Sequence, residues 1–140
     1  MNSKAFFYSL GQAIYRLDSF YDEFAKNSGV SPTVLWILYA LNDGEKHTQR
    51  DICENWCLPK STVNTAVSEL KRDGYVELIP VKGTRREMTV LLTQNGTEYA
   101  ENVLSELYER EKTAFSQIDL TELRLPDGLV RIKALLEEEL

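Results

Sequence analysis

Apolar residues recur at helical spacing through the start of the chain. Leu10, Ile14, Leu17, Tyr21 and Phe24 follow at intervals of four, three, four and three, which makes one apolar stripe and predicts a helix over 4–26. Phe6, Phe7, Tyr8, Tyr15 and Phe20 widen that stripe beyond what one neighbouring element covers. That excess points to a partner chain. Asn27-Ser28-Gly29 ends the helix, and Ser31-Pro32 starts another, with Ser as cap and Pro at the first helical position. This second helix, over 32–42, carries Val34, Leu35, Trp36, Ile37, Leu38 and Leu41. It is apolar almost all round and reads as a buried central helix. Asn42-Asp43-Gly44 reads as a turn.

Shorter elements follow. Thr48-Gln49-Arg50-Asp51 has the form of a capping box with Asp in place of Glu. It opens a short helix to about Trp56 that is expected to bury Ile52, Cys53 and Trp56. Cys57-Leu58-Pro59 breaks that helix; Ser61 is expected to cap a fourth one running to Asp73, with Gly74 just past its end. Alternation then predicts strands over Tyr75–Val81 and Glu87–Leu92, joined by the loop Lys82–Arg86. Thr93 caps a long helix through about Ile118, with Tyr99, Val103 and Leu107 on one stripe. Leu125-Pro126-Asp127-Gly128 breaks whatever precedes it, and Leu129, Ile132, Leu136 and Leu140 give the tail a helical period. No repeat or linker interrupts this order. The expectation is one mainly α domain over 1–140, with a winged helix-turn-helix at 31–92 between helical flanks at 1–28 and 93–140.

The fourth helix carries the chemistry. At about 100° per residue, Val63, Ala66, Val67 and Leu70 share one face, and Ser61, Asn64, Thr65, Ser68 and Arg72 share the opposite one. An ordinary surface helix puts long charged side chains outside. This face is small, polar and free of acid near its start, which suits the major groove: Asn can pair with adenine, and Ser or Thr can donate or accept at several base edges. The positive end of the helix dipole near Lys60-Ser61-Thr62 favours phosphate. In the hairpin loop, Lys82, Arg85 and Arg86 surround one glycine, and an Arg there can enter the narrow minor groove.

Net charge argues at first the other way. The chain carries 16 Lys and Arg against 22 Asp and Glu, a balance of −6, whereas phosphate contact wants cations. The distribution resolves the conflict. From Lys46 to Arg86 the balance is +3, and the remainder of the chain carries −9. A basic centre on acidic flanks gives one surface that meets a polyanion and another that does not.

Other chemistry is thinly represented. Cys53 and Cys57 are four apart, which is neither a redox nor a zinc spacing, and His47 is the sole histidine. They read as reduced, packed thiols. No phosphate-binding glycine loop and no nucleophile with a base is present, so an enzyme is not expected, nor any cofactor or metal. No apolar run approaches the ~20 residues of a membrane span, and the polar N-terminus lacks a signal-peptide pattern. A cytoplasmic location with no membrane partner is expected.

Residues 47–96 resemble the MarR family of bacterial transcription regulators. The resemblance rests on Ser61-Thr62-Val63, Leu70 and Gly74 in and after the fourth helix. It continues with Thr84-Arg85-Arg86 in the wing and Leu92-Thr93-Gln94-Asn95-Gly96 after it. It implies a homodimer, built through the N- and C-terminal helices, that binds double-stranded DNA at a near-palindromic operator as a repressor. Lys60, Ser61, Thr62, Asn64, Thr65, Ser68, Arg72, Lys82, Arg85 and Arg86 would meet the DNA. It also implies a small aromatic or phenolic effector, for which Tyr8, Tyr15, Trp36 and Tyr39 are the candidate lining. Two positions depart from the family pattern. Thr84 stands where the wing commonly has Asp, and Thr65 stands where many members have Arg. With the acidic net charge, the missing Asp leaves one alternative: a winged-helix scaffold that binds a protein partner instead of DNA.

Overall fold

A computed structural model describes residues 1–138 of the chain. The chain divides into two compact units, Met1–Ser105 and Glu106–Leu140.

In the first unit, α1 (Ser3–Asn27) and α2 (Pro32–Leu41) lie where the apolar periods place them. Asn2 caps α1 and Ser31 caps α2, each accepting a backbone N–H in the first turn. Leu35, Ile37 and Leu38 of α2 are fully buried, so the nearly all-apolar helix is the centre of this unit. Around it sit Phe24 and Ala25 of α1, Ile52 of α3 (Gln49–Trp56), and Val63, Ala66, Val67 and Leu70 of α4 (Lys60–Arg72). Val76 of β2 (Val76–Pro80), Val90 of β3 (Met88–Leu92), and Ala100, Val103 and Leu104 of α5 (Gln94–Phe115) complete the core.

The sheet has three antiparallel strands in the order β1-β3-β2, where β1 is His47–Thr48. Leu78 lies opposite Val90, and His47 flanks Val90 from the other side. The alternation read from sequence yields β2 and β3 but not β1, because two residues carry no period. Pro80 is tolerated because β2 is an edge strand, where a missing N–H leaves no ladder bond unmade.

Both ends of α4 differ from, or add to, what the sequence suggests. Its cap is Pro59, not Ser61, and no side chain caps it. The helix therefore begins two residues earlier, at Lys60, and Ser61 sits inside the first turn. At the other end the Gly74 N–H reaches the Lys71 carbonyl and the Tyr75 N–H reaches the Leu70 carbonyl. Gly74 takes φ +81°. These are the two bonds of a Schellman motif. Thr93 then does two jobs. Its hydroxyl donates to the Gly74 carbonyl at 2.6 Å and accepts the Gly96 N–H at 3.0 Å, so it caps α5 and fastens it to the end of α4. The Tyr75 and Tyr99 rings stack at 4.0 Å beside this point. Burial, with Tyr75 and Asp73 nearby, raises the Tyr99 phenol above its ordinary value.

The α3 helix has the Thr48–Asp51 capping box in full and ends with Cys57 in the left-handed region at φ 50°. Ile52 is buried as expected, but Cys53 is only half-buried and Trp56 is 36% exposed. Instead of entering the core, Trp56 stacks on Trp36 at 5.2 Å.

The second unit holds the end of α5, the single turn α6 (Leu120–Leu123) and α7 (Leu125–Glu137). The long helix stops at Phe115, short of Ile118. Asp119 caps α6, with Glu122 closing a capping box. Leu125-Pro126-Asp127-Gly128 does separate two helices. It is, however, the first turn of α7 and not a loop, since proline fits early helical positions. Leu140 and Glu139 lie outside the described residues.

A Cβ built on Gly96 would stand 1.8 Å from the Tyr75 carbonyl oxygen. Gly96→Ala must therefore push α5 off the end of α4. It is expected to cost roughly 3 kcal/mol, the upper end for overpacking. A urea midpoint unchanged from the parent would refute that close approach.

Candidate nucleic-acid interface

All ten cationic and polar candidates fall in the first unit, on α4 or on the loop between β2 and β3. The angular assignment of α4 holds residue by residue. Val63, Ala66, Val67 and Leu70 are buried, and Ser61, Thr62, Asn64, Thr65, Ser68 and Arg72 are exposed. Asn64, Thr65, Ser68 and Arg72 line one shallow surface with Glu69.

Because no side chain caps α4, the first N–H groups of the helix stay open to an incoming acceptor. Lys60 occupies the first helical position, at the positive end of the dipole. A cation there is disfavoured by the helix itself. The placement makes sense if an anion sits at that end. Among the described residues Lys60, Lys82, Arg85 and Arg86 have no acidic partner, whereas Arg72 lies 3.5 Å from Asp73. The Thr65 hydroxyl donates to the Ser61 carbonyl at 3.0 Å. Its proton is spent within the helix, so it offers outward only a lone pair and a methyl group.

The wing turns at Gly83, φ +82°, where only glycine is comfortable. Thr84 closes the turn: its N–H and its hydroxyl both donate to the Val81 carbonyl, at 3.3 and 2.9 Å. The residue that replaces the usual wing Asp thus braces the loop backbone instead of an arginine.

A cleft of about 700 Å³ joins the two parts. Lys60 and Asn64 line it from α4, Arg86 and Glu87 from the wing, and Gln49, Arg50, Cys53 and Glu54 from α3. The structure brings Arg86 to the same cleft as Lys60 and Asn64. Arg85 and Lys82 do not line it. Two members went unnoticed in the sequence. Arg50 bonds Glu54 at 2.9 Å and Glu87 at 3.4 Å, and both carboxylates raise its already high pKa. It thereby meets both acids of the cleft, and with Lys60 and Arg86 the lining charges sum to +1. Gln49 donates its amide N–H to the Asn64 side-chain oxygen. The i to i+4 spacing of Arg50 and Glu54 was legible; the contacts with Glu87 and Asn64 cross elements and leave no trace in spacing.

The aromatic candidates separate. Trp36 and Tyr39 belong to a half-buried cluster with Tyr21 and Trp56, the Trp36–Tyr39 ring centroids lying 5.5 Å apart. Tyr8 and Tyr15 stand elsewhere on α1, 70% and 76% exposed. No ring contact among the described residues joins them to that cluster, so the four do not form one lining within the chain. No described group of His, Cys, Asp and Glu could hold a metal ion. No described helix is long and apolar enough to cross a membrane.

The MarR family's sequence pattern matches residues 28–87, which contain α2, α3, α4 and the wing just described. Over those residues the chain is similar to the MarR family. Its members are transcription regulators, not enzymes. Among similar solved structures, the MarR-family regulator NMB1585 from Neisseria meningitidis superposes with a TM-score of 0.83 at 25% identity. That match covers 98% of this chain and 95% of the other. Reduced AbfR, of Staphylococcus epidermidis, solved bound to DNA, gives 0.73 at 20% identity, covering 96% and 94%. NadR, solved with 4-hydroxyphenylacetate, gives 0.72 at 18% identity, covering 94% and 92%. No curated protein matches the chain in sequence. The mainly helical winged fold is thus that of the MarR regulators, with their three-stranded sheet.

Arg50→Gln removes one charge and releases Glu54 and Glu87 into the cleft. The variant is expected to elute earlier from immobilised heparin than Arg110→Gln, which removes the same charge from the second unit. Equal elution would mean that Arg50 does not set the sign of the cleft.

Proposed function

We propose that this chain is a MarR-type, sequence-specific DNA-binding repressor that acts as a homodimer on a near-palindromic operator. The observation that carries the reading is that Asn64 of the small polar face, Lys60 at the uncapped start of α4 and Arg86 of the wing line one cleft. In this reading Ser61, Thr62, Asn64, Thr65 and Ser68 face bases or adjacent phosphates. Lys60 and Arg72 hold the backbone, and Lys82, Arg85 and Arg86 serve the wing, with Arg86 entering the minor groove.

The homodimer is supported by the apolar side chains each unit leaves uncovered. On α1 only Phe24 and Ala25 are buried, while Tyr8, Tyr15 and Leu17 are more than half exposed. In the second unit Leu120, Leu125, Val130 and Leu136 are likewise more than half exposed. So much apolar surface is unusual for a monomer in water. Two-fold symmetry of the protein then requires two half-sites related by the same symmetry. A small phenolic effector that releases the DNA belongs to the same reading. Its support is 4-hydroxyphenylacetate in NadR, and the half-buried rings of Trp36 and Tyr39 are where it would bind.

Selection from a randomised duplex library supplies the operator, and the salt dependence of binding to it is the first test. A steep negative slope of log affinity against log salt is expected. Arg86→Ala should weaken binding across sequences alike. Asn64→Ala should relax choice at one base pair per half-site by about 1–3 kcal/mol. A flat salt slope with no retained sequence would favour a protein-binding scaffold instead.

A further inference from the structure

The Gln49 side chain is half-buried at the first position of α3, and its amide N–H donates to Oδ1 of Asn64 on α4. Asn64 is exposed, and its Nδ2 group has no acceptor among the described residues. An asparagine that reads adenine must use both ends of its amide, accepting from N6 and donating to N7. Here one lone pair of the accepting end is already taken from within the protein, which turns Oδ1 toward Gln49 on α3. The end turned away from Gln49, toward an outside partner, is the donor.

We propose that Gln49 is a positioning residue that fixes the Asn64 amide with its N–H groups outward, so that Asn64 selects a base presenting acceptors in the major groove. Guanine, with O6 and N7, fits best, and thymine, with O4, is second. Adenine, the usual partner of a free asparagine, and cytosine, whose major-groove edge offers a donor, are disfavoured. The inference rests on the reading of Asn64 as a base contact, and it replaces the adenine preference that residue type alone suggests. The reach from α3 to α4 also fixes where the selected base lies, because both residues line the cleft that Arg86 enters.

The chemistry permits a reversal. A carboxylate at position 49 can only accept, so it must take an N–H from Asn64. The amide then turns over and presents Oδ1 outward. Gln49→Glu should move the preference at that single base pair from guanine or thymine to adenine or cytosine, whatever the added charge does to overall affinity. Gln49→Leu removes the donor at similar size and should flatten the preference by roughly five- to tenfold.

Selection from a fully randomised duplex library, with the full-length protein and with Gln49→Glu, Gln49→Leu, Asn64→Ala and the Gln49→Leu/Asn64→Ala pair, tests this. Thermal unfolding of each variant checks that it is folded. The expected result is a guanine or thymine preference in the parent at one position, reversed by Gln49→Glu and flattened by Gln49→Leu. Asn64→Ala should flatten the same position, and the double variant should add nothing to it. If Asn64→Ala leaves every position unchanged, Asn64 reads no base, and both the base-contact role and this inference fall. If Asn64→Ala flattens a position that neither Gln49 variant alters, the base contact stands and the positioning role is overturned. If Gln49→Leu still alters preference in the Asn64→Ala background, Gln49 contacts DNA itself and the inference is again overturned.

Discussion

The rotation of α4 about its own axis governs everything the interface can do. Four apolar side chains, Val63, Ala66, Val67 and Leu70, are buried along one side of the helix. Burial of side chains the size of Val or Leu stabilises by about 1.5–3 kcal/mol each. Turning the helix by one residue would expose most of them at once, so a single rotation is strongly preferred. That rotation puts Asn64, Thr65 and Ser68 outward without any polar interaction having to hold them there. The core therefore chooses which atoms meet a partner.

Charge is arranged on top of that geometry with little to spare. The chain is acidic overall, and even the cleft carries Glu54 and Glu87. Arg50 meets both, and with Lys60 and Arg86 the cleft carries an excess of one positive charge. Exposed pairs of this kind add little to stability. Their effect is on the field a polyanion meets on approach, which falls off over a Debye length of about 8–10 Å and so depends on local balance more than on net charge. An acidic protein can present a locally basic cleft on those terms.

Helices, recognition face and wing were legible because each repeats: a period near 3.6 or 2, or a cluster of like charges at a turn. Features resting on a single meeting of residues were not. Strand β1 is two residues long and exists because His47 and Thr48 pair with Val90 and Thr89. Trp56 fits an apolar stripe and was expected inside. It is instead drawn to the flat face of Trp36, a contact that costs it full burial. Ser61 has the right residue type for a cap, yet Pro59 precedes it with φ −60° and starts the helix earlier. The four aromatic candidates shared a residue type and no more; two are part of a packed cluster, and two lie on an uncovered face. Gln49 and Asn64 lie fifteen positions apart, and only the crossing of α3 and α4 brings them together.

The far end of α4 explains why side-chain orientation, and not helix placement, is the variable left for selectivity. The last turn is closed by two backbone bonds around Gly74, and Thr93 fastens the Gly74 carbonyl to the start of α5. Gly96 then lets α5 lie against Tyr75 with no room for a Cβ. With its near end set by Pro59 and its far end held at three points, α4 has no low-cost way to tilt or slide toward a different base. A site on so rigid an element is tuned by what its side chains can turn to face. For most of the exposed face that freedom is large, since Ser61, Thr62 and Ser68 are short hydroxyls able to donate or accept. Thr65 has already committed its proton to the helix, and Asn64 has its oxygen turned to Gln49. These two residues, not the adaptable serines, are the ones whose outward-facing atoms the protein itself sets.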